Sequence, residues 1–411
     1  MSDSTLKSRV KVSGILACMI ALLLIASYGL TRRVAAKVFP SSPSPARAVP
    51  LDAEQVMLYR GDARRTGTYD EPGIRQMSGL RWEVPVGDVV HGPPVFAGGV
   101  IYLISREGRL AAIDSSTGNR LWAFRPNPDS PVFSPVAVAN GLVYVGQDKR
   151  VYALNAQTGR KVWKFKTKNL SLSAPLVAGS TLYFGCFDDF FYALDANTGR
   201  LKWKIRVGDS DTPAVFDGNT VFFVSADFTI NRSYLYAVDG ETGQQKWRME
   251  RPASTGWELG LTVADGLLYI GTGDGRFHAL DTLTGQDVWG YEGGDAHWSG
   301  PAVAGGLVYV GNQDRYVHAL DGRTGELLWK FQAEDWAFAS PIVSGGVVYF
   351  GVGNLDQSEG GRHFYAVDGL TGQELWKFQA SGRIMAAACT GNGAVYFASM
   401  IGANGTLYAA E

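Results

Sequence analysis

Hydrophobic positions follow two patterns along the chain. Residues 12–30 (VSGILACMIALLLIASYGL) form one run of 19 residues without a charge, close to bilayer-spanning length. From Leu80 onward, short apolar runs alternate with turns rich in Gly, Asn and Asp. Residues 300–331 carry four such runs: Ala302-Val303-Ala304, Leu307-Val308-Tyr309-Val310, Tyr316-Val317-His318-Ala319-Leu320 and Leu327-Leu328-Trp329-Lys330-Phe331. None is long enough for a helix of about ten residues, so the pattern predicts four short antiparallel strands.

That unit recurs. Trp82, Trp122, Trp163, Trp203, Trp247, Trp289, Trp329 and Trp376 are spaced by 40, 41, 40, 44, 42, 40 and 47 residues. A Thr-Gly pair precedes seven of them, at Thr117-Gly118, Thr158-Gly159, Thr198-Gly199, Thr242-Gly243, Thr284-Gly285, Thr324-Gly325 and Thr371-Gly372. A period near 40 with four strands per unit predicts the blades of a β-propeller. The first tryptophan strand, 80–86, has no strands of its own before it, and the last unit stops at Leu407-Tyr408-Ala409-Ala410-Glu411. The N-terminal strand therefore supplies the missing outer strand of the last unit. The expectation is an all-β, eight-bladed propeller over 80–411, with no free sheet edges. Each repeat Trp should pack between blades, and each Thr-Gly glycine should occupy a turn at φ > 0.

Basic residues flank the long apolar run on both sides: Lys7, Arg9 and Lys11 before it, Arg32, Arg33 and Lys37 after it. A cleaved signal should end in small residues ahead of any charge. The run therefore reads as an uncleaved transmembrane anchor over 12–30 behind a basic segment, 1–11, with the remainder exported. Residues 31–56, rich in Pro, Ser and Ala, read as a tether, and 57–79 as a lead-in to the propeller. Glycine accounts for 51 of 411 residues without a triplet repeat, consistent with many tight turns. With 38 basic and 39 acidic side chains, a general nucleic-acid binder is not expected. Cys18, Cys186 and Cys389 are too few and too scattered for a disulfide framework or a zinc cage.

The motif Ala319-Leu320-Asp321-x-x-Thr324-Gly325-x-x-x-Trp329 and its copies resemble the tryptophan-docking motif of pyrroloquinoline-quinone-type propellers. That superfamily includes quinoprotein alcohol dehydrogenases and the propeller lipoprotein of the bacterial outer-membrane β-barrel assembly machinery. The resemblance covers about residues 57–411. Residues 58–67, LYRGDARRTG, resemble the lead-in of its stand-alone members, within which Arg60-Gly61-Asp62 reads as chance rather than as an adhesion motif. The dehydrogenases typically have an adjacent cysteine pair and a set of acidic and amide ligands beside the quinone. Neither can be matched here, so their activity is not carried over and no catalytic residue is assigned.

If the first strand of each unit runs from a face T to a face B, the loops between second and third strands open on T and the Thr-Gly turns on B. The longest T-face loops are 227–233 and 354–362. Variable loops on one face of a rigid ring make that face the expected binding surface. Three tryptophans outside the repeat, Trp257, Trp298 and Trp336, fall in T-face loops of units five, six and seven, near Glu258, Asp295, His297, Glu334, Asp335 and Phe338. The arc reads either as local packing over the channel mouth or as a recognition patch for an extended peptide or small molecule. The candidate ligand-binding set is Trp257, Glu258, His297, Trp298, Trp336 and Phe338, with His91 on the same face. Arg106, Lys149, Arg150, Arg276, Arg315 and Arg362 read as a solvated rim.

His278 and His318 occupy the repeat position of Tyr152 and Tyr192 and read as structural. Asp295-Ala296-His297 offers two metal ligands without a third, so no metal is expected. Gly271-Thr272-Gly273-Asp274-Gly275 mimics a phosphate loop but runs from strand to strand, which removes the helix that a phosphate site needs. The preferred reading is a membrane-tethered, monomeric binding or scaffolding propeller on the extracytoplasmic side, engaged in envelope protein assembly, with a protein partner and no cofactor. A pyrroloquinoline-quinone-dependent oxidoreductase with an atypical site and a sensory ectodomain are the alternatives.

Overall fold

A computed structural model describes residues 57–90, 92–127, 134–169, 173–210, 212–227, 232–252, 260–272, 275–293, 299–337, 339–353, 360–402 and 404–411. The expected anchor over 12–30 lies outside them. Among the described residues no helix is long and apolar enough to cross a membrane.

The repeat folds as eight four-stranded blades. Blades 1 to 7 span 95–124, 137–166, 176–206, 215–252, 262–292, 302–332 and 342–379, each antiparallel and in sequence order from the axis outward. Blade 8 combines Cys389–Gly391, Ala394–Ile401 and Asn404–Ala410 with Leu80–Pro85 as its outermost strand, the expected closure. Gly79 and Glu411 exchange backbone hydrogen bonds at this seam. The innermost strands of blades 1 to 7 neighbour one another in order, and Cys389–Gly391 of blade 8 lies against Val95–Ala97 of blade 1.

Burial explains why the sequence alternates only on the outermost strands. The three inner strands of each blade are covered on both faces by adjacent blades and are buried almost throughout, as in Leu176–Ala178, Thr181–Gly185 and Phe190–Asp195. Strands covered on both faces need not alternate. The fourth strand meets solvent on one side, and Lys161–Lys166 (KVWKFK) alternates accordingly.

The repeat tryptophans share one geometry. Each stands opposite an alanine, as Trp163 opposite Ala153 and Trp329 opposite Ala319, beside a β-bulge that turns the indole toward the next blade. There the indole N–H donates to a backbone carbonyl: Trp82 to Ser115, Trp122 to Ala156, Trp163 to Ala196, Trp203 to Gly240, Trp247 to Thr282, Trp289 to Gly322 and Trp329 to Gly369, all at 2.9–3.0 Å. The ring lies against the glycine of that blade's Thr-Gly pair, and a methyl group on Gly159 (φ +68°) would sit 2.6 Å from the Trp122 ring. In the same turns a carboxylate such as Asp195 accepts from both the backbone and the hydroxyl of the threonine, at 2.8 and 2.7 Å.

The lead-in does not pass over the surface. Residues 57–69 lie in the central channel and cross the innermost strands of successive blades. Met57 pairs with Val138 of blade 2. Phe216, Val263, Val303 and Val343, each the middle residue of the innermost strand in blades 4 to 7, donate their N–H to the carbonyls of Ala63, Arg64, Thr66 and Gly67 at 2.8–3.0 Å. Thr68–Tyr69 then runs parallel to Ile342–Ser344 before the chain reaches blade 8.

Candidate functional site

Of the arc expected on face T, Trp336 is described. Trp257, Glu258, His297, Trp298, Phe338 and His91 lie outside the described residues. Trp336 is half-buried in the link from blade 6 to blade 7 and is pinned through its backbone. Its N–H donates to Asp335 Oδ1 at 2.8 Å, and its carbonyl accepts from Gly353 N at 3.1 Å. The adjacent acids are occupied as well. Asp335 Oδ2 accepts from Gly361 N at 2.7 Å, while Glu334 Oε1 accepts from the N–H groups of Arg362 and His363 at 2.9 and 3.1 Å and meets His363 Nδ1 at 2.5 Å. Glu334 and Asp335 therefore stitch the 333–341 link to the end of the blade 7 loop, and Trp336 rides on that support.

A second feature lies on the same face between blades 2 and 3, where an open cleft of about 630 Å³ is lined by Lys149, Lys168, Asn169, Phe187, Asp188, Asp189, Phe190 and Arg206. Its shape comes from the short Phe187-Asp188-Asp189-Phe190 turn joining the second and third strands of blade 3. Asp188 Oδ2 holds that turn by accepting from Lys168 N at 2.9 Å and from the Tyr192 hydroxyl at 2.8 Å. Asn169 Nδ2 donates to the Phe187 carbonyl at 2.9 Å, and Arg206 pairs with Asp189 at 3.0 Å. Lys204 Nζ stands 4.2 Å from the centre of the Phe190 ring. Lys149 and Lys168 are exposed at the rim, so the cleft offers two aromatic rings and two ammonium groups to an incoming surface. Lys149 was legible in the sequence as a rim residue. The aromatic pair was missed, although Phe187 stands where the equivalent turns have Gln147 and Gln313, a visible signal.

The other sequence candidates have structural surroundings. His278 Nδ1 lies 2.9 Å from Asp287, and His318 bridges Asp314 (3.1 Å) and the Tyr291 hydroxyl (3.0 Å). Within the rim, Arg150 and Arg276 pair with Asp148 and Glu292. Gly275 closes a tight hairpin onto Thr272 between two strands. Cys186 and Cys389 are buried free thiols. Among the described residues no three His, Cys, Asp or Glu side chains gather as a metal site.

Comparison with known proteins places this geometry. No curated protein sequence matches the chain. Among solved structures, the quinohemoprotein alcohol dehydrogenase of Comamonas testosteroni is 18% identical with a TM-score of 0.67, over 86% of this chain and 80% of that one. BamB of Moraxella catarrhalis is 18% identical with a TM-score of 0.62, over 81% and 99%. A europium-containing methanol dehydrogenase is 16% identical with a TM-score of 0.67, over 85% and 96%. At these identities the likeness is one of fold. The family model described as outer membrane protein assembly factor BamB matches residues 75–136, 129–229, 231–294 and 284–411. Nearly the whole propeller is matched, and the chain belongs to this BamB propeller family.

Proposed function

We propose that the chain is a membrane-tethered scaffold that presents the T face of its propeller to a protein partner during envelope protein assembly on the extracytoplasmic side. The match of the BamB family model across 75–411 carries this reading. The apolar run at 12–30 and the tether at 31–56 support an anchor that leaves the ring able to reach a neighbour. The shared indole geometry supports reading the repeat as tryptophan docking, which makes the ring rigid and assigns recognition to loops. On face T, the Lys149–Phe190 cleft and the Trp336 link offer aromatic surface beside charge, a composition favoured at protein interfaces.

The dehydrogenase neighbours imply a quinone and a metal ion. A quinone-dependent oxidoreductase stays the second reading; what favours the scaffold is that the lead-in backbone occupies the channel against the innermost strands. Site-specific photocrosslinkers in native membranes test the scaffold reading. Probes at Lys149, Phe187 and Trp336 should each capture discrete proteins, whereas probes at Gln157 and Asn197 in the Thr-Gly turns should capture none. Equal capture from both faces, or none from face T, would overturn it.

A further inference from the structure

We infer that the central channel of the ring is a binding site for a turn-containing, arginine-bearing peptide segment, and that this chain fills the site in cis with residues 57–69. This goes beyond the scaffold reading and does not depend on it.

Two arginines carry the argument. Arg60 and Arg65 are 2% and 0% exposed, whereas Arg64 between them points outward to Asp217 at 2.6 Å. Arg65 donates through Nε to the Ala214 carbonyl at 2.7 Å, through Nη1 to the Tyr59 carbonyl at 3.0 Å and through Nη2 to the Ala174 carbonyl at 3.2 Å. Arg60 donates through Nη1 to Thr262 Oγ1 at 3.2 Å and through Nη2 to the Pro301 carbonyl. Ala174, Ala214, Thr262 and Pro301 precede or open the innermost strands of blades 3, 4, 5 and 6. The two side chains thus grip four consecutive blades, while the backbone of the segment pairs with blades 2, 4, 5, 6 and 7.

Among the described residues, neither guanidinium has a hydrogen-bonded carboxylate. Buried cations held by carbonyl dipoles are costly to place and costly to strand without partners. Backbone conformation points the same way. Both arginines have positive φ, +66° and +53°, a region that bulky side chains adopt only when surrounding contacts impose it. The receiving wall is shaped to match. Gly300 leaves space that a methyl group would take from the Arg60 guanidinium, and the single Thr262 hydroxyl proton is shared between the carbonyls of Arg65 and Pro301, which lie 2.9 and 2.8 Å from Oγ1. A segment in this position occupies the axial space and confines foreign partners to the loops.

The site is tested on the full chain by residue-resolved amide exchange with Gly300→Ala, Arg60→Ala and their combination. In the native chain, Val303 and Val343, which donate to Thr66 and Gly67, should exchange within about tenfold of mid-blade amides such as Val308. Gly300→Ala should accelerate both by roughly 100-fold, and adding it to Arg60→Ala should change them by less than about threefold, because the clashing partner is gone. The inference is overturned if Val303 and Val343 exchange as freely as unstructured amides in the unmodified chain. It also fails if Gly300→Ala acts equally in both backgrounds.

Discussion

The indole N–H of Trp376 donates to the carbonyl of Ile74 at 2.7 Å, across 302 residues of sequence. The other seven repeat tryptophans donate to the third-to-fourth-strand turn of the following blade. Blade 8 has no such turn, because its third strand ends the chain and its fourth strand begins the propeller. The lead-in supplies the missing carbonyl, and Tyr349 fastens the same residue by accepting from Ile74 N at 2.6 Å.

Trp376→Phe keeps most of the aromatic surface and removes this one bond. It should destabilise the propeller by roughly 1–2 kcal/mol, the typical cost of stranding a buried carbonyl. Trp376→Ala should cost about 3–5 kcal/mol through the cavity it leaves. Urea unfolding followed by fluorescence measures both, and equal losses for the two variants would contradict the assignment.

Gly159 and Gly141 separate backbone strain from steric contact. Both have positive φ, at +68° and +71°, but a methyl group on Gly159 meets the Trp122 ring while one on Gly141 meets nothing within 4 Å. Gly141→Ala should therefore cost roughly 1 kcal/mol from conformation alone, and Gly159→Ala an additional 1–3 kcal/mol or so from overpacking. Thermal unfolding of the two variants decides the point.

Acid should loosen the Thr-Gly turns. The hydrogen bond from Arg75, and after it those from Thr371, hold Asp368 down at about 2, and hydrogen bonds from the turn threonines lower Asp195, Asp239 and Asp281. A carboxylate with a depressed folded-state pKa stabilises the fold above its unfolded value near 4, and that contribution is lost as pH falls toward the folded value. Arg75→Ala should thus lower Tm at pH 5, with the gap to the unmodified chain closing by about pH 2. A constant gap across that window would show that Arg75 acts by packing alone.

Burial pushes the Cys186 thiol up to about 12 and raises Cys389 as well. Because the thiolate is the nucleophile, neither should react with a disulfide reagent at pH 8 in the folded chain. Both should react on adding denaturant, with rates at least ~1,000-fold higher. Rapid native labelling of Cys186 would mean that the 186–190 turn opens.

The blades were legible because each carries the same Trp, the same Thr-Gly pair and the same run of turns, and a repeated signal survives noise at any single position. Strand Leu80–Pro85 was legible for the complementary reason, a unit at one end lacking what the other end had left over. The axial path of 57–69 left no such trace. Its carbonyls accept from N–H groups of blades far apart in sequence and its arginines donate to their carbonyls, and Arg60-Gly61-Asp62 has no periodic partner to reveal its burial. On face T, Trp336 was found by type, but Glu334 and Asp335, noted only as its acidic neighbours, serve backbone N–H groups that the sequence cannot locate. Phe187 and Phe190 were missed because tryptophans, charges and histidines alone singled out residues in the loops.

The course of the lead-in also sets an order of events during synthesis. Residues 57–69 emerge ahead of blades 2 to 7, which hold them, and Leu80–Pro85 finds its neighbour only when Asn404–Ala410 is made. At about 5–20 residues per second these early segments wait roughly 20–60 s without the strands that pair with them. The first part of the propeller to be made is thus the last to be seated. Until then, each nascent chain carries an unoccupied axis and an open sheet edge, and its need for protection is greatest just before it is complete.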